Sequence, residues 1–308
     1  MLNTVNQYKC LIDKVISAVC LLRLRTRGTG TNLSIFRICV SCYYSCCKEN
    51  FFEPQIPNNK HFFTVHTPEY FFDLLNITLD QKAARRIGFP LSERLIEREM
   101  IIADGTIKAS KFALEYGIAM NIAGGTHHAF TNKGEAFCML NDQAIGAKYL
   151  QNKELVYKVL IVDLDVHQGN GTAEIFKKDN SVFTFSMHGK TNYPFVKEQS
   201  DLDIALENYT KDDEYLSILK TTLPKLIHQE KPDFIYYLCG VDVVETDKLG
   251  KLSMTIEGCK ERDRFVLQTC FDLKIPVMCS MGGGYSAAIN IVVDAHANTF
   301  RLAQEIYF

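Results

Sequence analysis

Val159-Leu-Ile-Val-Asp-Leu-Asp-Val-His-Gln-Gly-Asn-Gly171 is the stretch on which the fold of this chain turns. It begins as an unbroken apolar run, the pattern of a strand buried on both faces of a parallel sheet. Within a few residues it delivers Asp163, Asp165 and His167, then a glycine turn. Alternate residues of an extended chain share a face, so Asp165 and His167 point together and can hold one metal ion. Open α/β sheets bind ligands beyond the carboxyl ends of their strands, which is where these polar groups fall. A strand-end Asp capping the next helix beside an incidental His is the bland alternative, and this stretch alone does not separate the two.

Outward from it, residues 181–186, 233–238 and 275–281 are three more apolar runs of strand length. Each ends in polar or glycine-rich turns: Met187-His188-Gly189, Gly240-Val-Asp242 and Gly282-Gly-Gly-Tyr285. Before and between them lie predicted helices over 66–75, 104–123, 141–149, 171–178 and 261–273. The first carries a start signal, with Thr67 as cap, Pro68 behind it and Glu69 next. The second is inferred from an apolar stripe that reads as core. Four apolar strands separated by helices predict a single-domain α/β fold, a parallel sheet in three α/β/α layers. Two loops interrupt the pattern: Gly124-Gly-Thr-His127-His128-Ala129 and Gly134-Glu-Ala-Phe137-Cys138. Tandem histidines in a loop are more often exposed decoration than catalysts.

The 308 residues can bury a large core, and a net charge of −2 gives no global attraction to nucleic acid. No apolar run reaches the length of a membrane span. The best leader candidate, residues 15–22, follows Asp13 and Lys14 and lacks a cleavage site, so the expected compartment is the cytoplasm, or the nucleus in a eukaryote. Six of the 11 cysteines lie in the first 50 residues, but Cys39, Cys42, Cys46 and Cys47 do not complete a paired zinc spacing. Residues 1–49 carry no clean period, and their Gly28-Thr-Gly-Thr-Asn32 run has neither a preceding strand nor a following Lys. They are expected to be an atypical Cys-rich segment, disordered or a wrongly assigned start, that contributes little to the fold, with a catalytic domain over 50–308.

Placed side by side, the strand ends assemble Asp165, His167 and Asp242 as ligands for zinc or a similar ion, leaving positions open for water and substrate. His127 and His128 supply a general base and a general acid or electrostatic stabiliser. Tyr285, on its glycine turn, can donate to a developing oxyanion, and Asp163 and Asn170 are left to orient imidazoles. The chemistry predicted is metal-assisted hydrolysis of an amide.

In these motifs, from Gly-Gly-Thr-His127-His128-Ala to Gly-Gly-Gly-Tyr285, the sequence resembles the zinc-dependent histone deacetylase family. Its Asp163-Leu-Asp-Val-His-Gln-Gly-Asn170-Gly wording is similar to the class IV branch and bacterial members. The resemblance runs from Phe51 to the C-terminus and implies the arginase/deacetylase fold, with zinc on Asp165, His167 and Asp242. It implies that Asp163 partners His127, that Tyr285 stabilises the tetrahedral intermediate, and that Phe137 and Gly283 line the passage for an acylated lysine. It also implies a monovalent cation, K+, near Asp163 and Ser186. There are two departures. Many relatives carry Asp where this chain has Asn170. The family's opening strand and His/Pro-rich loop find no match in residues 1–49, which makes the catalytic domain read as N-terminally incomplete. Two alternatives stay open: an inactive acyl-lysine-binding or scaffold protein, and a deacetylase of small acylated amines such as acetylpolyamines.

Overall fold

The structure, a computed structural model, describes residues 51–308 together with the backbone of Val19–Cys20. Its strands are β1 Val19–Cys20, β2 Phe51–Phe52, β3 Ile118–Asn121, β4 Val159–Asp163, β5 Val182–Gly189, β6 Leu202–Leu206, β7 Phe234–Leu238 and β8 Val277–Ser280. They form one sheet in the order β2-β1-β3-β8-β7-β4-β5-β6. From β3 to β6 every neighbouring pair is parallel, whereas β1 runs antiparallel to both β2 and β3. The helices are α1 Pro68–Leu75, α2 Gln81–Ile87, α3 Glu93–Tyr116, α4 Asp142–Asn152, α5 Asn170–Phe176, α6 Asp212–Glu230, α7 Ile256–Leu273 and α8 Ile289–Tyr307.

Strand alternation divides the core into two layers. Leu160 and Val162 of β4 face a cluster built with Leu219 of α6, Val266 of α7 and Leu302 of α8. Val159 and Ile161 face the opposite cluster, with Phe71 of α1, Ile87 of α2, Ile107 of α3, Ile145 of α4 and Phe176 of α5. β4 therefore lies mid-sheet, buried on both sides, and its carboxyl end opens into the loops that carry the polar motifs. The predicted start of α1 is present: the Thr67 side chain accepts from Tyr70 N, with Pro68 at the first position. Among the described residues no helix is long and apolar enough to cross a membrane.

Two sequence expectations are corrected. The helix predicted over 104–123 begins earlier and stops at Tyr116, where Gly117 adopts φ 85 and its N–H closes on Ala113 O at 2.8 Å. Ile118–Asn121 then leaves as β3 and pairs with β8. The stripe residues Ala119 and Met120 fit either period, and burial in the sheet decides between them. The second omission is β6, an edge strand whose alternate residues are exposed and whose apolar signal is correspondingly thin. The expectation for residues 1–49 lies outside the described residues, apart from the backbone pairing of β1.

Candidate active site

Past the end of β4 the chain places Asp165 and His167 against Asp242, which follows β7. Their ligand atoms all lie within 4.8 Å of one another, and all three residues are buried. The backbone fixes each carboxylate. His167 N donates to Asp165 Oδ1 at 3.0 Å, Gly283 N to Asp165 Oδ2 at 2.8 Å, and Val166 N to Asp242 Oδ1 at 2.9 Å. Asp242 Oδ2 is left fully buried with no well-directed hydrogen bond, 3.2 Å from His167 Nδ1. Buried polar atoms are seldom left so, and an orphaned carboxylate oxygen facing a second carboxylate and an imidazole fits a bound cation. The electrostatics agree. Burial, and next repulsion from Asp165, push the Asp242 carboxyl up to about 7. His167 rises to about 10: burial opposes this, but Asp165 and Asp242 outweigh it. Burial opposes it at Asp165 too, but the imidazoles of His167 and His127 hold that carboxyl well below the usual carboxylate range, so Asp242 is the carboxyl left least compensated.

Gly283 explains the glycine turn. A Cβ there would stand 2.1 Å from Asp242 Oδ2 and 3.0 Å from Asp165 Oδ2. Its N–H is engaged by Asp165, so the structure puts this backbone on a site carboxylate.

The paired histidines come from the loop after β3, and that loop is held by Asp142 at the start of α4. Asp142 Oδ1 accepts from Gly125 N at 2.9 Å, Thr126 N at 2.8 Å and Thr126 Oγ1 at 2.7 Å, while Oδ2 accepts from Thr106 Oγ1 at 2.6 Å. The two buried rings pack 4.1 Å apart between centroids. Each has its Nδ1 committed, His127 to Asp163 Oδ2 at 2.7 Å and His128 to Asn170 Oδ1 at 2.6 Å. That leaves both Nε2 atoms for chemistry, and His127 Nε2 lies 4.0 Å from Asp165 Oδ1. Burial lowers both imidazoles, but Asp163 outweighs it at His127, which is raised. At His128 burial, with His127 and His167 adding to it, outweighs the hydrogen bond to neutral Asn170 and the more distant Asp165, and the imidazole stays well below its usual value.

Tyr285 is half-buried with its ring 6.4 Å from that of His167, and desolvation, then Asp242 and Asp165, keep its phenol protonated. Its N–H is tied to Asp247 Oδ2 at 2.5 Å. Phe137 is 41% exposed, with its ring tilted against that of Phe89 at 4.9 Å. Ser186 neighbours Asp163 in register, and its Oγ lies 2.9 Å from His188 Nδ1. Three contributors were not singled out from the sequence. Tyr193 stands edge-on to His128 at 5.0 Å, its hydroxyl donates to Glu135 Oε2 at 2.8 Å, and Asp142 organises the histidine loop. Asp142 follows the cap Asn141 and reads as an ordinary first-turn acid; Tyr193 sits in a segment without periodicity.

A parallel α/β sheet whose carboxyl edge gathers a cation-seeking triad beside two pinned imidazoles defines a hydrolase of the arginase/deacetylase fold. Residues 36–300 match the family described as the histone deacetylase domain; the chain belongs to the histone deacetylase family and is a deacetylase-type hydrolase. That match starts upstream of the boundary expected at residue 50. An uncharacterized protein of Picosynechococcus sp. is 46% identical over 259 residues, covering 84% of this chain and 86% of the relative. Histone deacetylase 2 of Arabidopsis thaliana is 32% identical over 201 residues, covering 64% of this chain and 52% of its own length. The acetoin utilization protein AcuC of Staphylococcus aureus is 28% identical over 274 residues, covering 82% and 70%.

Proposed function

We propose that the chain is a zinc-dependent lysine deacylase. The observation that carries this is the convergence of Asp165, His167 and Asp242, with ligand atoms within 4.8 Å, beside two imidazoles whose Nδ1 atoms are both committed. Two carboxylates and an imidazole suit zinc, and three protein ligands leave open positions. Zinc held there supplies Lewis acidity at the scissile amide. The rest is the work of side chains. Asp163 and Asn170 orient the two rings so that each Nε2 faces the reacting atoms. His127 and His128 then take a proton from water and return one to the leaving amine. Tyr285 donates to the oxygen on which charge develops. Phe137 and Gly283 belong to the passage for the acyl-lysine chain.

The monovalent cation beside Asp163 and Ser186, the domain boundary near residue 50 and the cytoplasmic location remain parts of this proposal. The cation rests on the family pattern and on the two residues being register neighbours, and the boundary and the location rest on sequence composition alone. Purified protein and an Asp242→Ala variant, incubated with acetyl-lysine and long-acyl-lysine peptides and with an acetylpolyamine, test the reading. Zinc-dependent release of acid from a lysine peptide, lost in the variant, is the expected result. Turnover confined to the polyamine would replace the substrate, and no turnover of any would favour a binding protein.

A further inference from the structure

Arg262 and Asp263 read in the sequence as part of an amphipathic helix, yet both are fully buried, and Arg262 heads the fully buried side chains by volume. Burying a guanidinium is costly unless its donors are met. Here four of the five N–H groups have partners. Nε and Nη2 donate to Asp263 Oδ1 at 2.9 and 2.7 Å, while Nη1 donates to two main-chain carbonyls, Gly240 O at 2.7 Å and Leu164 O at 3.1 Å. Asp263 is itself fixed, taking the Tyr237 hydroxyl at 2.5 Å and Thr299 Oγ1 at 2.6 Å.

The two carbonyls are not arbitrary. Leu164 immediately precedes Asp165, and Gly240 lies two residues before Asp242. β4 and β7 pair as far as Asp163 and Leu238, and Leu164 N to Leu238 O at 3.2 Å is a further rung. Beyond that rung Arg262 joins the two segments through one nitrogen. They are close-packed at that point, since a Cβ on Gly240 would stand 2.3 Å from Asp165 Oδ2.

We infer that Arg262 is a positioning residue for the metal centre: anchored by Asp263, it clamps the Leu164 and Gly240 carbonyls and so sets the spacing of Asp165 from Asp242. The inference rests on the metal reading proposed above. The planar fork matters, because an ammonium cannot meet two carbonyls and a carboxylate along fixed edges. Metal centres tolerate little drift in ligand distance, so a device that holds two ligand-bearing segments in register belongs behind the ligands themselves.

Two full-length variants test it: Arg262→Lys, and the double change Arg262→Met/Asp263→Asn, which removes both buried charges and nearly keeps the volume. Zinc affinity is measured by chelator competition, with Asp165→Ala/Asp242→Ala setting the background of zinc bound elsewhere. The cobalt(II)-loaded proteins are compared by their d–d absorption, which reports coordination geometry and would not move for a purely structural role. In a folded variant zinc binding should weaken by about 10- to 100-fold, the usual cost of losing an outer partner, and the cobalt bands should shift. Parent-like zinc affinity and an unchanged cobalt spectrum in a folded variant would overturn the clamp. Failure of both variants to fold would also overturn it, making the pair a requirement of the core and not a setting of the site. If the parent itself binds no more zinc than the Asp165→Ala/Asp242→Ala background, the metal reading fails and takes this inference with it.

Discussion

Replacing Gly283 with alanine is the sharpest perturbation the geometry offers. Gly283 does not sit at a left-handed angle, so its conformation is open to any residue and only space requires glycine. The added Cβ would meet Asp242 Oδ2 at 2.1 Å, and Cβ contacts below 3.0 Å are essentially never seen. Something must move by roughly 1 Å to restore an ordinary contact. Asp242 cannot yield freely: it is 0% exposed, and Oδ1 is held by Val166 N. The turn cannot yield freely either, because Gly283 N is bonded to Asp165 Oδ2. Metal–ligand distances vary by only about 0.2 Å, so the displacement falls on the proposed zinc site whichever side moves. We expect zinc affinity to fall by about 100-fold or more, and kcat/KM on an acyl-lysine peptide by about 100-fold at saturating metal. Gly284→Ala is the internal control. Its Cβ would press on Val241 Cγ2 at 2.8 Å and Val292 Cγ1 at 2.9 Å, apolar side-chain atoms and not ligand atoms, although Val241 adjoins Asp242 in sequence. That overpacking should cost about 1–3 kcal/mol of stability and leave zinc binding near the parent. Chelator competition, steady-state kinetics and thermal melts on the two variants separate the effects. Equal zinc loss in both, or parent-like affinity in Gly283→Ala, would refute the reasoning.

Other consequences are open to direct test. Removing Asp247 frees Tyr285 N from its 2.5 Å bond, so Asp247→Ala should lower kcat/KM by about 10- to 100-fold with zinc content unchanged. Loss of zinc in parallel would mean that the loop, and not Tyr285, was disturbed. Ala136 sits at φ 43, a left-handed angle worth about 1–2 kcal/mol of strain for a non-glycine residue, against about 0.5–1 kcal/mol of extra chain entropy lost by glycine. Ala136→Gly should therefore gain about 0.5–1 kcal/mol and melt about 1–3 °C higher; a lower melting temperature would contradict this. Buried His66 is neutral, donating Nδ1–H to Phe130 O at 2.9 Å and accepting from Asn141 N at 3.0 Å, and burial lowers it to about 4. The unfolded chain binds that proton more readily, so this contribution is complete above about pH 6.5 and is lost as pH falls toward 4. Urea titrations with chelator present should show His66→Gln losing about 1 kcal/mol less stability than the parent between pH 7.5 and 5.5, whereas equal slopes would place the proton elsewhere.

Much of the chemistry was legible in the chain because its carriers sit at strand ends, where a change from apolar to polar is visible locally. The run 159–163 had to be a buried strand, and period-two alternation put Asp165 and His167 on one side without reference to any other element. The apolar strands 233–238 and 275–281 similarly announced that Asp242 and Tyr285 would emerge at one edge of a parallel sheet. Whether a turn ends a helix or begins a strand is not local. Gly117 breaks α3 only because the residues after it find β8 beside them, and no stripe of Ala119 and Met120 encodes that neighbour. Edge strand β6 was lost for the related reason that half its side chains face away from the core. The tertiary structure alone decided that Asp142 holds the histidine loop and that Tyr193 meets His128, since both contacts join segments far apart in sequence. It also turned Arg262, one charge among several on a helix, into a buried clamp on two carbonyls from other elements. Periodicity reports which face a residue takes, but the partner waiting on that face is fixed only when the layers close.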